Sequence, residues 1–349
     1  MTQGQTVASY ASLQQLAAEL RLDAAAYRRA CEIAELHPDR AGWLRHIDRF
    51  LTALGALLIV AGITTFFAWN WADLGSLVKF ALIQGGIVAA VVLAWRLGID
   101  AMAGQAALLG AAFLVGVLLA VFGQVYQTGA DPYSLFLSWA ILILPWAIAG
   151  RQAGLWMLFQ ILVNLAIILY WTQVLYPPEG WWMLAQALGP VVWLGTTVTD
   201  SRLASSLFVM NTAALLAWEI LAARGLSWMT GRWFPRLTAV GALGTVVAPT
   251  IIVIFAAVFE SRTGLRFLSP LLFTAALAAC FYYYQYRKLD LFILTCCLTG
   301  AILVVMSLLI RYMPKDFGSL LLLAVALIVQ VAAAAFWLRE LSRRWEAEP

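Results

Sequence analysis

The chain has 349 residues, of which 63% are hydrophobic and 11% charged, with a mean hydropathy of +0.87 and a formal net charge of +4. Soluble domains carry about 25% charged residues, so the composition excludes an ordinary soluble globular protein. The small excess of base also gives no reason to expect nucleic acid as a partner.

The charge is unevenly placed. Residues 1–50 hold twelve Asp, Glu, Lys and Arg residues and residues 339–349 hold six, which leaves the long stretch between them nearly bare. The chain therefore divides into a head (1–49), an apolar body (50–338) and a charged tail (339–349). In the head, Leu13, Leu16 and Leu20 recur at helical spacing. Asp23 reads as the N-cap of a second helix from Ala24 to Leu36, and Asp39, after Pro38, as the cap of a third. Acids and bases cancel in this segment, so it is a solvated helical head or a docking surface for a partner, and not a polybasic lipid-binding arm. The first apolar run starts near Leu51, too deep for a cleavable signal peptide, so the first spanning helix is expected to direct insertion.

Charge-free runs then follow at 50–72, 80–95, 101–130, 132–150, 152–178, 180–199, 203–218, 237–259, 267–286, 291–310 and 317–338. With flanking residues most reach the ~20 residues a spanning helix needs. The expected fold is all-α: a polytopic membrane bundle behind a small cytoplasmic head. Counting Arg and Lys in short loops orients it. The Arg-rich head lies in the cytoplasm, and Arg96, Arg151 and Arg202 join it if every run spans. Past residue 202 that pattern inverts, and removing one span between 152 and 222 restores it. The run to remove is 180–199, broken by Gly180, Gly189-Pro190 and Gly195; the short run 203–218, which ends at Glu219, is the other possibility. Ten spans are expected, eleven being the alternative.

Ala81, Gly85 and Ala89 form one small-residue ridge and Ala112, Gly116 and Ala120 another, which predicts that these two helices pack closely together or against near neighbours. Trp69, Trp71, Trp95, Trp171, Trp181, Trp182 and the run Tyr282–Tyr284 read as interface anchors. Gln160 and Asn164, four apart in one span, are expected to make interhelical hydrogen bonds.

Catalytic signatures are missing. The histidines, His37 and His46, precede the body, which excludes a bis-His haem in the bilayer; no metalloprotease, nucleophile-elbow or phosphate-loop motif occurs, and no pair of membrane acids. The four cysteines include no Cys-x-x-Cys pair, and no metal or cofactor is expected. Two polar segments stand out at the outer side: Asn70 and Asp73 followed by Lys79, then Gln124, Tyr126, Gln127, Thr128 and Asp131. Hydrogen-bonding groups at that depth must face water or one another, so they form a candidate ligand or partner site. They also suit a turn, with Asp131 capping a helix that opens on Pro132. Glu219, inside a span with Asn211 two turns before it, is a further candidate; Arg224 is its partner if the helix is shifted toward the interface.

The stretch Ala68-Trp69-Asn70-Trp71 with the downstream Lys79, and then Gly123-Gln124-Val125-Tyr126-Gln127-Thr128-Gly129-Ala130-Asp131, resembles the prokaryotic predicted membrane proteins of domain of unknown function 2157. The resemblance covers about the first half of the chain. It implies the same topology and a bacterial inner-membrane location, and carries no activity with it. Two functions stay open: a transporter or lipid-handling protein, with a lipid or small molecule as ligand, and a non-catalytic scaffold that docks a membrane-protein partner through its head. An enzyme acting through Asp131, Asp73 or Glu179 is the third.

Overall fold

The computed structural model describes residues 73–127, 129, 131–175, 201–256, 268–314 and 316–347, together with isolated positions before residue 73. It divides at Gly75 into two units. In the first, Asp23 Oδ1 accepts from the Ala26 amide at 2.7 Å, as an N-cap does, and Ala26, Arg29 and Ala30 are helical. Trp43, Leu44 and Ile47, in the third expected segment, are helical as well, while Leu13, Leu16, Leu20, Asp39 and Asn70 lie outside the described residues.

Among the described residues the second unit is built of helices, with no strand. Its helices are α1 (Ser76–Leu97), α2 (Met102–Tyr126), α3 (Pro132–Gly150), α4 (Ala153–Tyr170, continued by a π turn Trp171–Leu175), α5 (Ser201–Ala223), α6 (Trp233–Ala256), α7 (Leu268–Tyr286), α8 (Leu291–Tyr312) and α9 (Phe317–Ala347). All but α7 are long and apolar enough to cross a membrane. α7, of 19 residues, ends in Tyr282-Tyr283-Tyr284-Gln285-Tyr286, which dilutes its hydropathy.

α1 to α4 form an antiparallel set. Residues near the start of α1 meet the end of α2 (Phe80 stacks on Tyr126), and Gly86 faces Leu114 midway. α2 meets α3 where the Trp139 ring covers Gly116, so closely that a Cβ there would lie 2.4 Å from it. The Trp139 indole also donates to the Ala112 carbonyl at 2.8 Å. α1 and α2 do pack together as their small residues predict, but not ridge to ridge. Gly85 has open space where its Cβ would be, and the Ala112–Gly116 ridge receives the Trp139 ring instead of a second backbone.

α5 to α9 form the second set. α8 runs parallel to α6 (Val247 beside Gly300, Arg236 bonded to Asp290), and α7 and α9 run opposite to both. Leu215, Ala239, Leu243, Ile293, Leu294 and Cys297 make its core. The two sets join where Trp218, Met229 and Phe234 pack on Ala153, Trp156 and Met157 of α4. A closed amide cluster ties the same helices at mid-height. Gln160 Nε2 donates to Asn211 Oδ1 (2.8 Å), and Asn211 Nδ2 to Asn164 Oδ1 (2.7 Å). The expected interhelical bonds of Gln160 and Asn164 are thus made, and Asn211 is their shared partner.

Those contacts set the topology. Trp156 lies level with Trp218 and Asn164 with Asn211, so α4 and α5 are antiparallel, and Leu175 and Ser201 fall at the same end of the body. The run 180–199, which the sequence offers for removal, lies outside the described residues. The other possibility raised by the sequence falls away, because 203–218 lies within the 23-residue helix α5. One end of the body then gathers Arg96, Arg151, Arg224, Arg232, Arg236, Arg287, Lys288, Arg339, Arg343 and Arg344. The described bases toward the other end are Lys79, Arg202 and Arg311. Arg202 therefore parts from Arg96 and Arg151.

A buried charge cluster and three cavities

At the basic end, the termini of α5, α6, α7 and α8 converge. Glu219, near the end of α5, keeps only 4% of its surface exposed, and Asp290, the N-cap of α8, 2%. A buried carboxylate is tolerated only when paired and hydrogen-bonded, and both are. Glu219 Oε1 accepts from Arg232 Nη1 at 2.6 Å and from the Tyr284 hydroxyl at 3.1 Å, and Oε2 accepts from Lys288 Nζ at 3.0 Å. Asp290 Oδ2 accepts from Arg232 Nε at 2.9 Å, while Arg232 Nη2 sits 2.8 Å from the same oxygen but off the hydrogen-bond direction. Arg236 Nε lies 3.1 Å from both Asp290 oxygens. The same carboxylate caps α8, accepting from the Phe292 and Ile293 amides.

Arg232 thus bridges two carboxylates from different helices, a task its planar fork suits better than an ammonium. Burial pushes the Asp290 carboxyl upward, and the Arg236 and Arg232 hydrogen bonds outweigh it, holding the group below the usual carboxylate range. Three cations against two carboxylates leave the cluster with a net positive charge. Its parts are scattered over residues 219–290, so only Glu219 was marked by the sequence, as an acid in an apolar run. Arg224, the partner expected for it, is replaced by Arg232, Lys288 and Tyr284. Tyr284, grouped with the interface aromatics, is buried instead (3% exposed); Tyr282 is at the surface (60%), as an anchor would be.

Glu219 and Tyr284 also bound a cavity of about 490 Å³ between α5, α6 and α7. Its walls are apolar, with Phe208, Leu215, Ala242 and Leu243 among them, and Tyr283 and Arg224 stand with Glu219 at the charged end. Leu216, Ile220 and Ala279 line it and are exposed, so it opens sideways through the apolar flank of the helices. A second cavity, of about 290 Å³, lies between α4, α5 and the start of α6.

The segment at the opposite end is arranged differently. Gln124, Tyr126, Gln127 and Asp131 are exposed, as is Asp73 in the first unit; Lys79 is half-buried, and Thr128 and Asn70 lie outside the described residues. α2 ends at Tyr126, with Gln127 (φ 46°) and Gly129 (φ 59°) in the left-handed region that turns the chain into α3. Asp131 occupies the N-cap position before Pro132, but the bonds there run to its backbone: the Ser134 hydroxyl donates to the Asp131 carbonyl at 2.6 Å, and no side-chain cap forms. Gln127 and Gly129 border a broad recess of about 1010 Å³ between α2 and α3, whose floor includes Gly116 and Trp139. Among the described residues no group of three His, Cys, Asp or Glu side chains is placed to hold a metal ion.

Eight helices long and apolar enough to cross a membrane, with no strand among the described residues, define an α-helical integral membrane protein. Residues 14–156 match the family model described as Predicted membrane protein (DUF2157), and α5 to α9 lie beyond the matched part. No curated protein and no solved structure matches the chain.

Proposed function

We infer that the protein binds a membrane lipid with an anionic headgroup in the cavity between α5, α6 and α7. The observation that carries this is the form of the cavity: about 490 Å³ of apolar space, open to the bilayer at the side and bounded at one end by charged groups. Sites for small ligands span about 300–1,000 Å³ and combine apolar walls with a few polar groups. An acyl chain fits between Phe208, Leu215 and Ala242, while the headgroup stays at the helix ends beside Arg224 and the cations of the cluster. Basic pockets between spanning helices at the cytoplasmic face suit anionic headgroups. Glu219 acts as a positioning residue: both of its oxygens are engaged, and it holds Arg232 and Lys288 at that end. The gathering of bases at this end supports a cytoplasmic assignment for it, and with that assignment the site belongs to the inner leaflet of a bacterial cytoplasmic membrane.

Ligand linkage tests this. A ligand that binds only the folded state stabilises it by about 2.7 kcal/mol at a hundred times its Kd. Dioleoyl-phosphatidylglycerol added to the delipidated protein should raise its melting temperature more than dioleoyl-phosphatidylcholine, and Arg224→Gln should shrink the difference. Equal responses to the two lipids would count against the assignment.

A further inference from the structure

We propose that the closed inner end of the cavity between α5, α6 and α7 measures an acyl chain, and that Phe208 and Ala276 thereby set the chain length of the lipid the protein retains. The inference rests on the lipid reading of that cavity and adds to it the class of chain. Glu219 and Tyr284 are hydrogen-bonded at the charged end. Eleven residues earlier on each helix, Phe208 and Phe273 belong to one buried cluster with Ala242 and Val246. α5 and α7 therefore run in step, and the two levels lie about 16 Å apart at ~1.5 Å per residue, roughly half of a ~30 Å hydrocarbon core.

The cavity stops at the inner level. Its innermost lining residues are Phe208 on α5, Ala242 on α6 and Ala276 on α7. One turn further in, Ala204, Val246 and Phe273 are buried and do not line it. The exposed lining residues, Leu216, Ile220, Ala223, Arg224 and Ala279, all lie within five residues of Glu219 or Tyr284. The mouth is thus confined to the charged half, and the other half is a dead end. A lipid tail is as apolar in the bilayer as in the cavity, so burial alone favours no chain length and fit decides. A short chain leaves a dry void whose lining loses contacts. A long one overfills a packed floor or lifts its headgroup off the cations. An extended chain gains about 1.2 Å per bond, so about fourteen carbons run from the level of Glu219 to the floor.

Native mass spectrometry of the full chain tests this, with didecanoyl-, dilauroyl-, dimyristoyl-, dipalmitoyl- and distearoyl-phosphatidylglycerol offered together in equal amounts in dioleoyl-phosphatidylcholine nanodiscs. The wild type should retain the dimyristoyl lipid at least about fivefold over the distearoyl lipid. Ala276→Leu, which fills the inner end, should move the preference to a shorter chain, and Phe208→Ala, which opens the floor, to a longer one. If Phe208→Ala is too unstable to purify, Ala276→Leu carries the test. Phosphatidylglycerols retained in the proportions offered, or a preference that the substitutions leave in place, would overturn the chain-length assignment while the lipid reading stands. A wild type that retains none of them over phosphatidylcholine would overturn both.

Discussion

Replacing Arg232 with Gln removes the one side chain shared by Glu219 and Asp290. Breaking a buried ion pair typically costs about 3–5 kcal/mol, because it strands a charge away from water. Here each carboxylate keeps other partners: Glu219 keeps Tyr284 at 3.1 Å and Lys288 at 3.0 Å, and Asp290 keeps Arg236 at 3.1 Å. Arg232 itself retains 22% of its side-chain exposure. Those remaining contacts reduce the expected loss to about 2–3 kcal/mol, a fall in melting temperature of roughly 4–8 °C. Scanning fluorimetry in mild detergent, read through the intrinsic tryptophans, measures it. Arg232→Lys should recover only part of the loss, because an ammonium cannot reach two carboxylates in the geometry of the guanidinium. A double-mutant cycle with Glu219→Gln should give a coupling of about 1–3 kcal/mol, the range for directly contacting residues. An unchanged melting temperature for Arg232→Gln, or strictly additive single effects, would show that the cluster does not tie the helix ends together.

Three further outcomes follow from the same geometry. Because the folded Asp290 carboxyl lies below its ordinary value, the stability it contributes is fully present above the unfolded pKa of about 3.9 and drains away as pH falls below it; Asp290→Asn should flatten that acid limb of the melting curve. Gly116→Ala would drive a methyl group into the Trp139 ring and should destabilise by about 1–3 kcal/mol, whereas Gly85→Ala, with open space around it, should not; thermal melts of the two variants decide. In a cysteine-free background, single cysteines at Arg151 and Arg224 should react with an impermeant maleimide from one side of sealed vesicles, and one at Gln127 from the other; labelling of Arg224 and Gln127 from the same side would refute the antiparallel placement of α4 and α5.

The sequence and the structure agree where one helix at a time decides the answer. Charge-free runs located the described helices, and the Arg and Lys imbalance after residue 202 favours ten spans over eleven. The antiparallel order of α4 and α5 rests instead on contacts far apart in the chain, such as that between Asn164 and Asn211, 47 residues apart. The charged site was mostly illegible, because Arg232, Lys288 and Asp290 sit at the ends of apolar runs, where charges ordinarily meet water. Nothing in their spacing says that α5, α6, α7 and α8 bring them together around Glu219. Gly116 illustrates the same limit: its four-residue ridge announced a close approach, but whether a backbone or an indole would fill the notch depended on Trp139, 23 residues away. The outer polar segment drew the eye for its density of hydrogen-bonding groups, and the structure spends part of that density on the turn from α2 into α3.

The most direct test of the lipid assignment is native mass spectrometry of the full chain, released from membranes that contain both phosphatidylglycerol and phosphatidylethanolamine. The wild-type protein should retain one phosphatidylglycerol, and Ala279→Phe, which fills the exposed mouth of the α5–α7 cavity, should lose it while remaining folded. Retention of the same lipid by Ala279→Phe, or release of the wild type with no bound lipid, would contradict a binding site in that cavity.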